Sequence, residues 1–316
     1  MSIQDQNIYT RIQRRSRLDK LLDDCFVWLT RFLAFAVAAV LFWIAAQVSI
    51  EAIPAIQKFG VRFLTDSSWN PVKNEYGVLP QIYGTLVSSL IALLIAVPVG
   101  LGTAILLSQN FLPYKVRTVM VFLVELIAAI PSVVYGIWGI FFLVPILTSW
   151  GRMLHSSLGW LPIFASAPSG LGMLPAGVIL AIMILPIITA ISRDALTSIP
   201  PSLHQAAVGL GATRWETILK VMLPTAFSGI VSAVILALGR AMGETMAVTM
   251  LIGNANKIDF SLFAPANSIA SLLANQFSEA VGLQVSALMY AALVLFILTL
   301  IVNTVAELIV GQVKRI

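Results

Sequence analysis

Six long apolar stretches decide what this chain can fold into. They fall at about 26–50, 82–107, 118–147, 172–192, 223–252 and 282–306. Each can cross a hydrocarbon core of about 30 Å as a helix, for which roughly 20 apolar residues suffice. They are continuous rather than alternating, which excludes a transmembrane β-barrel. We therefore predict an all-α polytopic membrane protein with six transmembrane helices.

The composition excludes the main soluble classes. Of the 316 residues, 59% are hydrophobic and 10% are charged, whereas an ordinary soluble domain carries roughly 25% charged residues. A soluble enzyme, a disordered chain and a nucleic-acid binder are all inconsistent with these values. The net charge of +5 is expected to reside in cytoplasmic loops rather than on a nucleic-acid surface.

The distribution of basic residues predicts the orientation. Twelve Lys and Arg residues lie on the side of the two termini, against five on the opposite side. Basic loops favour the cytoplasm, so both termini are predicted to be cytoplasmic. We divide the chain into a cytoplasmic arm (1–25), a first helix (26–50), an external loop (51–80) and a five-helix transmembrane domain (81–312). The first stretch is too long for a cleaved signal peptide and is predicted to be retained.

No pattern typical of an enzyme or a nucleotide site is present. No glycine is followed by lysine, so the chain lacks a phosphate-binding loop, and G-x-S-x-G, H-E-x-x-H and C-x-x-C are also missing. The single cysteine, Cys25, and two distant histidines, His155 and His204, predict no metal site. We expect no catalytic residue and no cofactor in this chain; if its activity uses ATP, another chain must bind the nucleotide.

Charges inside the apolar stretches are the first candidates for function. An ionisable group at bilayer depth is costly unless it pairs or faces water. Arg240 and Glu244 are four residues apart in the fifth stretch, which predicts one helix face. They are either an ion pair that locks helix packing or an anion site in which the guanidinium binds an oxyanion. Glu125 in the third stretch is a second candidate. Small residues recur at every fourth position of the fifth stretch and predict close helix packing: Gly229, Ala233, Ala237 and Ala241.

A carboxylate beside an anion route favours phosphate over sulfate. Near neutral pH phosphate keeps at least one proton and can donate a hydrogen bond to the carboxylate, whereas sulfate cannot. Glu244 beside Arg240 fits this selectivity. Neutralisation of Arg240 by Glu244 in the resting state is equally compatible with the sequence.

The segment 200–224, between the fourth and fifth stretches, carries the most specific motif. It contains two adjacent alanines, a glycine four residues later and Leu223-Pro224 beyond it. This resembles the EAA loop of ABC importer permeases, in which a short helix ends at a glycine and contacts the ATPase. Five residues of the segment are predicted to form that coupling contact: Gln205, Ala206, Ala207, Gly211 and Arg214. Gln205 stands where the family has Glu, which removes one charge.

Further motifs resemble the phosphate-specific importer permeases. They are 69–71 (WNP), 84–86 (GTL), 129–136 (AIPSVVYG), 184–186 (ILP), 211–216 (GATRWE) and 239–245 (GRAMGET). The resemblance, from about residue 60 onward, implies the type I ABC importer permease fold. It also implies a location in the inner membrane of a prokaryote and three kinds of partner. These are a second permease, two copies of an ATPase that bind ATP and Mg²⁺, and an external phosphate-binding protein. Six residues are expected on the substrate pathway: Arg240, Glu244, Thr245, Glu125, Ser132 and Tyr135.

Competing functions remain at this point. The chain could serve another oxyanion, such as sulfate, molybdate or phosphonate. An anion carrier or channel outside the ABC class would usually show more intramembrane charges or repeated halves. A membrane enzyme would need a set of reactive residues that the sequence does not provide.

Overall fold

The computed structural model describes residues 17–109 and 111–313. Its helices, in chain order, are α1 Arg17–Phe59, α2 Arg62–Thr65, α3 Leu79–Ser108, α4 Tyr114–Ala129, α5 Ser132–Trp138, α6 Val144–Leu158, α7 Met173–Thr197, α8 Pro201–Gly209, α9 Arg214–Thr217, α10 Leu223–Gly243, α11 Met246–Leu251, α12 Ile269–Gln276 and α13 Leu283–Val313. Shorter turns are π-helical at Gly139–Leu143 and Ile218–Met222, and 3₁₀ at Pro162–Phe164 and Phe277–Glu279. Strands β1 (Trp69–Asn70) and β2 (Glu75–Tyr76) form an antiparallel hairpin.

Six helical segments within the described ranges are long and apolar enough to cross a membrane. They are Lys20–Phe59, Leu79–Ser108, Ser132–Leu158, Met173–Thr197, Arg214–Gly243 and Leu283–Leu308. The predicted all-α polytopic class and the number of spans are confirmed. Residues 1–16 of the predicted arm (1–25) lie outside the described residues.

The third span was predicted at 118–147, and this placement is wrong. α4 ends at Ala129, Ile130 has extended backbone with φ −70° and ψ 129°, and α5 begins after Pro131. Proline disfavours a helical conformation for the residue before it and provides no N–H to the preceding turn. The segment that could span therefore begins at Ser132, and Glu125 lies in the separate helix α4.

The fifth span, predicted at 223–252, is interrupted as well. α10 ends at Gly243, and Glu244 has extended backbone with φ −68° and ψ 124°. Upstream, the helix already begins at Arg214, where Thr213 and Glu216 form a reciprocal capping box. The apolar segment therefore extends from Arg214 to Gly243, and Glu244 is not in the same helix as Arg240.

The chain divides into two compact units, Met1–Ile50 and Glu51–Ile316. In the first, the described part of α1 exposes large apolar side chains on all sides, including Phe26, Phe35 and Trp43. A helix that is apolar all round is typical of a membrane-embedded segment. Arg31 lies 5.8 Å from the ring centre of Trp28, a cation–π contact that suits a cation in apolar surroundings.

The core of the second unit forms around α7. The contact between α3 and α7 is more extensive than that between any other two elements. α10 also packs on α7 and contacts α3. Gly229, Ala233, Ala237 and Ala241 on α10 are buried or half-buried, and a Cβ on Gly229 would overlap that of Ala195 on α7. The predicted small-residue stripe is thus a close helix contact, as expected for membrane helices that associate through van der Waals packing.

A compact layer covers the ends of α3 and α13. The Phe63 ring stacks on Tyr290 at 4.3 Å between ring centres, and the Trp69 Nε1–H donates to Gln276 Oε1 at 2.6 Å. Asp66 accepts from the backbone N–H and the hydroxyl of Ser68. These bonds, with Arg62 nearby, hold the pKa of Asp66 below its usual value. The first helix was predicted to end at residue 50, but α1 continues to Phe59. The remainder of the predicted loop is a folded layer packed against the helices.

Candidate functional site

Arg240 lies in the last turn of α10 and is exposed. In the described part of the chain it forms no ion pair within 4.0 Å. A guanidinium on the surface of an apolar helix is unfavourable against lipid. This face of α10 is therefore expected to meet water, an anion or another polypeptide.

Glu244 has a local partner instead of Arg240. Its Oε1 accepts the backbone N–H of Ala247 at 3.3 Å, in the first turn of α11. The side chain thus satisfies one of the N–H groups that a helix start leaves without a partner. Thr245 lies in the same break, and its Oγ1 donates to the Gly243 carbonyl at 3.2 Å. The predicted face shared by Arg240 and Glu244 is wrong because the helix ends between them.

A groove of about 790 Å³ opens beside Arg240. Its walls are one face of α10 and the last turns of α13, with Ile187 of α7 at one side. Five of the lining residues have polar side chains: Ser228, Ser232 and Arg240 on α10, and Asn303 and Glu307 on α13. Glu244 does not line this groove. The carboxylate that shares a cavity with Arg240 is therefore Glu307.

Asn303 and Glu307 were not predicted from the sequence. The sixth span was ended at Ala306, which placed Glu307 outside the membrane and left Asn303 without a polar companion. The available signal was the same as for Arg240 and Glu244, namely two polar residues four positions apart in an apolar run. In the structure α13 extends to Val313, so both residues lie on one continuous helix.

Tyr135 and Ser132, two of the predicted pathway residues, lie on α5. Tyr135 is 7% exposed, and its hydroxyl donates to the Ile127 carbonyl at 2.7 Å. Ser132 is the half-buried first residue of α5 after Pro131. α5 packs on α11, the short helix that begins at Met246 directly after the break.

Glu125, another predicted pathway residue, lines neither the groove that contains Arg240 nor the cavity of about 250 Å³ that lies beside Tyr135. It is exposed on α4, a helix that packs mainly on α7. Its place on the pathway remains a prediction.

The segment 200–224 has the predicted helix–turn–helix form. α8 ends at Gly209, and Gly211 has φ +85°, a conformation that glycine adopts at little cost. Gln205, Ala206 and Arg214 are exposed, whereas Ala207 is 8% exposed and turned inward. Large apolar side chains surround the turn, and Leu210 is 90% exposed. Such a surface is typical of a docking site for another protein.

The described residues contain no group of three or more His, Cys, Asp or Glu side chains placed to hold a metal ion. The polar atoms of the groove are instead a guanidinium, two hydroxyls, a carboxamide and a carboxylate. This set can bind a hydrated anion that both donates and accepts hydrogen bonds.

Comparisons with known proteins agree with this architecture. The family model described as "Binding-protein-dependent transport system inner membrane component" matches residues 96–315. The chain is 45% identical over 293 residues to "Phosphate transport system permease protein PstC" of Mesorhizobium japonicum, covering 91% of this chain and 89% of that protein. The protein of the same name from Pasteurella multocida is 43% identical, with 90% and 91% covered.

A solved structure shares the fold. A bacterial ABC transporter involved in the import of the acidic polysaccharide alginate superposes with a TM-score of 0.59 at 16% identity, covering 94% of this chain and 99% of that one. At this identity the similarity concerns the fold alone. The predicted type I importer fold and family are confirmed: the chain belongs to the family of binding-protein-dependent transport system inner membrane components, as a relative of the PstC permeases.

Proposed function

We propose that this chain is a permease subunit of an ATP-driven phosphate importer and forms part of the phosphate path across the cytoplasmic membrane. The observation that carries the proposal is the 45% identity over nine-tenths of the chain to a phosphate transport permease. The exposed guanidinium of Arg240 beside a polar groove is the arrangement that an oxyanion path needs.

Three kinds of partner complete the proposed importer. A second permease of the PstA type would cover the polar face of α10 and α13. Two ATPase subunits of the PstB type would bind ATP and Mg²⁺, and one of them would dock on the α8–α9 segment. An external phosphate-binding protein of the PstS type would deliver the substrate to the compact layer over the ends of α3 and α13, which contains Phe63, Trp69 and Gln276.

The test is ATP-driven uptake in membrane vesicles that contain the chain with its three partners. We expect phosphate accumulation that requires ATP and this chain. An excess of sulfate, molybdate or phosphonate should not compete. Competition by sulfate equal to that by phosphate would favour the other-oxyanion alternative, and uptake without the ATPase would favour a carrier or channel.

Gly211 provides a test of the coupling contact. Its φ of +85° disfavours any side chain, and a Cβ there would meet nothing within 4 Å in this chain. We expect Gly211→Asp to cost about 1 kcal/mol of stability from backbone strain. It should nevertheless lose most ATP-driven uptake, because the carboxylate would project into the ATPase interface.

Gly211→Ala is the matched control, because its Cβ is held at the same positive φ but carries no carboxylate, and it should keep most of the uptake. The measurements are uptake and co-purification of the ATPase. Normal uptake by Gly211→Asp would contradict the contact.

The proposed orientation places both termini in the cytoplasm and Ser67 outside. Ser67 is exposed in the layer between α2 and β1. In a Cys25→Ala background, we expect Ser67→Cys to react with a membrane-impermeant thiol reagent in intact cells. Labelling that appears only after the membrane is permeabilised would reverse the orientation. Leu210→Cys is the reciprocal control. Leu210 is exposed in a segment expected in the cytoplasm, so it should be labelled only after the membrane is permeabilised.

A further inference from the structure

A second, smaller polar cavity lies between the α8–α9 segment and the residues that follow α3. Its volume is about 100 Å³, and it is lined by Gln109, Phe111, His204, Arg214 and Ile218. Gln109 and Phe111 follow the end of α3, His204 belongs to α8 and Arg214 to α9. Three separate parts of the chain therefore meet at this cavity, and Ile218 begins the turn that leads from it into α10.

The two basic side chains of this cavity have no partner in the described part of the chain. Neither the His204 ring nor the Arg214 guanidinium forms a hydrogen bond or an ion pair with a described residue. Glu216, the carboxylate closest to Arg214 in sequence, is already engaged. Its Oε2 accepts from the backbone N–H and the hydroxyl of Thr213, and its Oε1 accepts from Lys220 Nζ. None of the described residues that line the cavity carries a carboxylate, so its positive charge has no countercharge.

The polar side chains of the cavity can be reached from water and can donate hydrogen bonds. Gln109 and His204 are half-buried, and Arg214 is exposed. The guanidinium presents a planar fork of donors, and the imidazole donates from one ring nitrogen when neutral and from both when protonated. Gln109 Nε2 donates one N–H to Ser108 Oγ at 3.4 Å, which leaves its second N–H for a ligand. Donors without a nearby carboxylate are what an oxyanion requires.

The volume of the cavity limits the class of ligand. Pockets for cofactors and other organic ligands usually measure about 300–1,000 Å³, whereas a single water takes up about 30 Å³ of the liquid. A cavity of about 100 Å³ therefore suits an inorganic oxyanion such as phosphate or sulfate and is too small for a nucleotide.

We propose that this cavity binds free inorganic phosphate from the cytoplasm and that the bound ion slows transport. The inference rests on the proposed phosphate transport and on the proposed orientation. An ion held by Gln109, His204 and Arg214 would bridge the end of α3, α8 and α9. It would stabilise one arrangement of the segment that the ATPase is proposed to contact, and a ligand that binds one arrangement disfavours the others. Import would slow as its product accumulates inside the cell.

Sulfate distinguishes this cavity from the transport path. No described carboxylate lines the cavity, so nothing there repels a fully ionised anion, and both basic groups bind sulfate as well as phosphate. The importer itself is expected to reject sulfate. Sulfate inside the vesicle should therefore occupy the cavity without being a product of transport.

The first experiment measures binding by equilibrium dialysis of the purified full-length chain against radiolabelled phosphate. The chain carries Arg240→Gln, so that the groove on α10 does not contribute. We expect saturable binding at millimolar phosphate that sulfate displaces. His204→Gln or Arg214→Gln should weaken it about tenfold, which corresponds to the loss of one charge-assisted contact. Lys220→Gln is the matched control, because Lys220 is basic and on the same segment but pairs with Glu216 and does not line the cavity.

The second experiment measures transport in vesicles that contain the assembled transporter and ATP. They are loaded with sulfate or with chloride at equal ionic strength. We expect internal sulfate to lower the initial rate of phosphate uptake several-fold, whereas external sulfate has no effect. The ratio of the two rates, taken within each variant, should return close to one in His204→Gln. Lys220→Gln should be slowed as much as the unmodified transporter.

The outcomes separate this site from the proposed function. If no ATP-driven phosphate uptake is found, the proposed function is wrong, and dialysis still decides whether the cavity binds an oxyanion. If uptake occurs but internal sulfate does not slow it, the role of the cavity in transport is wrong. Absence of saturable binding to the Arg240→Gln chain, or equal weakening by His204→Gln and Lys220→Gln, would contradict the site itself.

Discussion

Arg240→Gln is expected to abolish phosphate uptake while the subunit stays in the membrane at its normal level. The guanidinium can form two parallel charge-assisted hydrogen bonds with an oxyanion. Losing roughly 3 kcal/mol of such contacts lowers the rate by about a hundredfold. Arg240→Lys keeps the charge but not the planar fork, so about a tenfold loss is expected. The measurement is ATP-driven uptake, normalised to the amount of assembled transporter.

Arg193→Gln is the matched control for Arg240. Arg193 lies near the end of α7 and pairs with Asp194 at 2.9 Å, away from the groove. Its loss should change uptake little, because an exposed ion pair contributes little to stability. Normal transport by Arg240→Gln would contradict the assignment. A variant that fails only because it does not accumulate would favour a packing role, although the structure shows Arg240 exposed and without an ion pair among the described residues.

Gly84→Ala is expected to destabilise the second unit by about 3 kcal/mol. Gly84 lies in α3, and a Cβ there would overlap the backbone carbonyl of Asn267. Overpacking against backbone costs roughly 1–3 kcal/mol. The displaced segment would also lose the hydrogen bond from the buried Ile269 N–H to Thr85 Oγ1, 3.1 Å in the structure, and an unsatisfied buried donor costs a further 1–3 kcal/mol or so.

Gly102→Ala is the control in the same helix. A Cβ at Gly102 would meet nothing within 4 Å, and alanine favours a helix over glycine by about 1 kcal/mol. We expect Gly102→Ala to unfold at the same temperature as the unmodified protein or higher, and Gly84→Ala several degrees lower. Thermal unfolding of the purified subunit in detergent measures both. Equal midpoints for the two variants would show that the segment around Asn267 yields without cost.

Hydropathy predicted the number of spans correctly but misplaced two of them. The apolar run 118–147 is continuous in composition, yet Pro131 divides it, because a proline breaks the hydrogen-bond ladder whatever its neighbours are. The hydropathy profile also shows no interruption at Glu244 and Thr245, because the break in the helix is short and flanked by apolar residues. The ends of helices depend on backbone hydrogen bonds that apolarity does not report.

The candidate site was half predicted. Arg240 was found because a guanidinium in an apolar run is costly and conspicuous. The prediction that Glu244 shares a helix face with Arg240 was wrong, because a spacing of four residues gives a shared face only if the helix continues through both residues. Asn303 and Glu307 lie more than 60 positions away, and only the packing of α13 against α10 brings them beside Arg240.

From the sequence one could predict the solvent in which this protein folds, the number of its membrane helices and the short helix that ends at a glycine turn. These properties depend on local composition and on single residues with special backbone preferences. The tertiary structure alone decided that Glu244 caps α11, that Ala207 points inward and that Gly84 must have no side chain. Each of these depends on which atoms approach across the packed helices, and such distances are set by the whole arrangement rather than by any one segment.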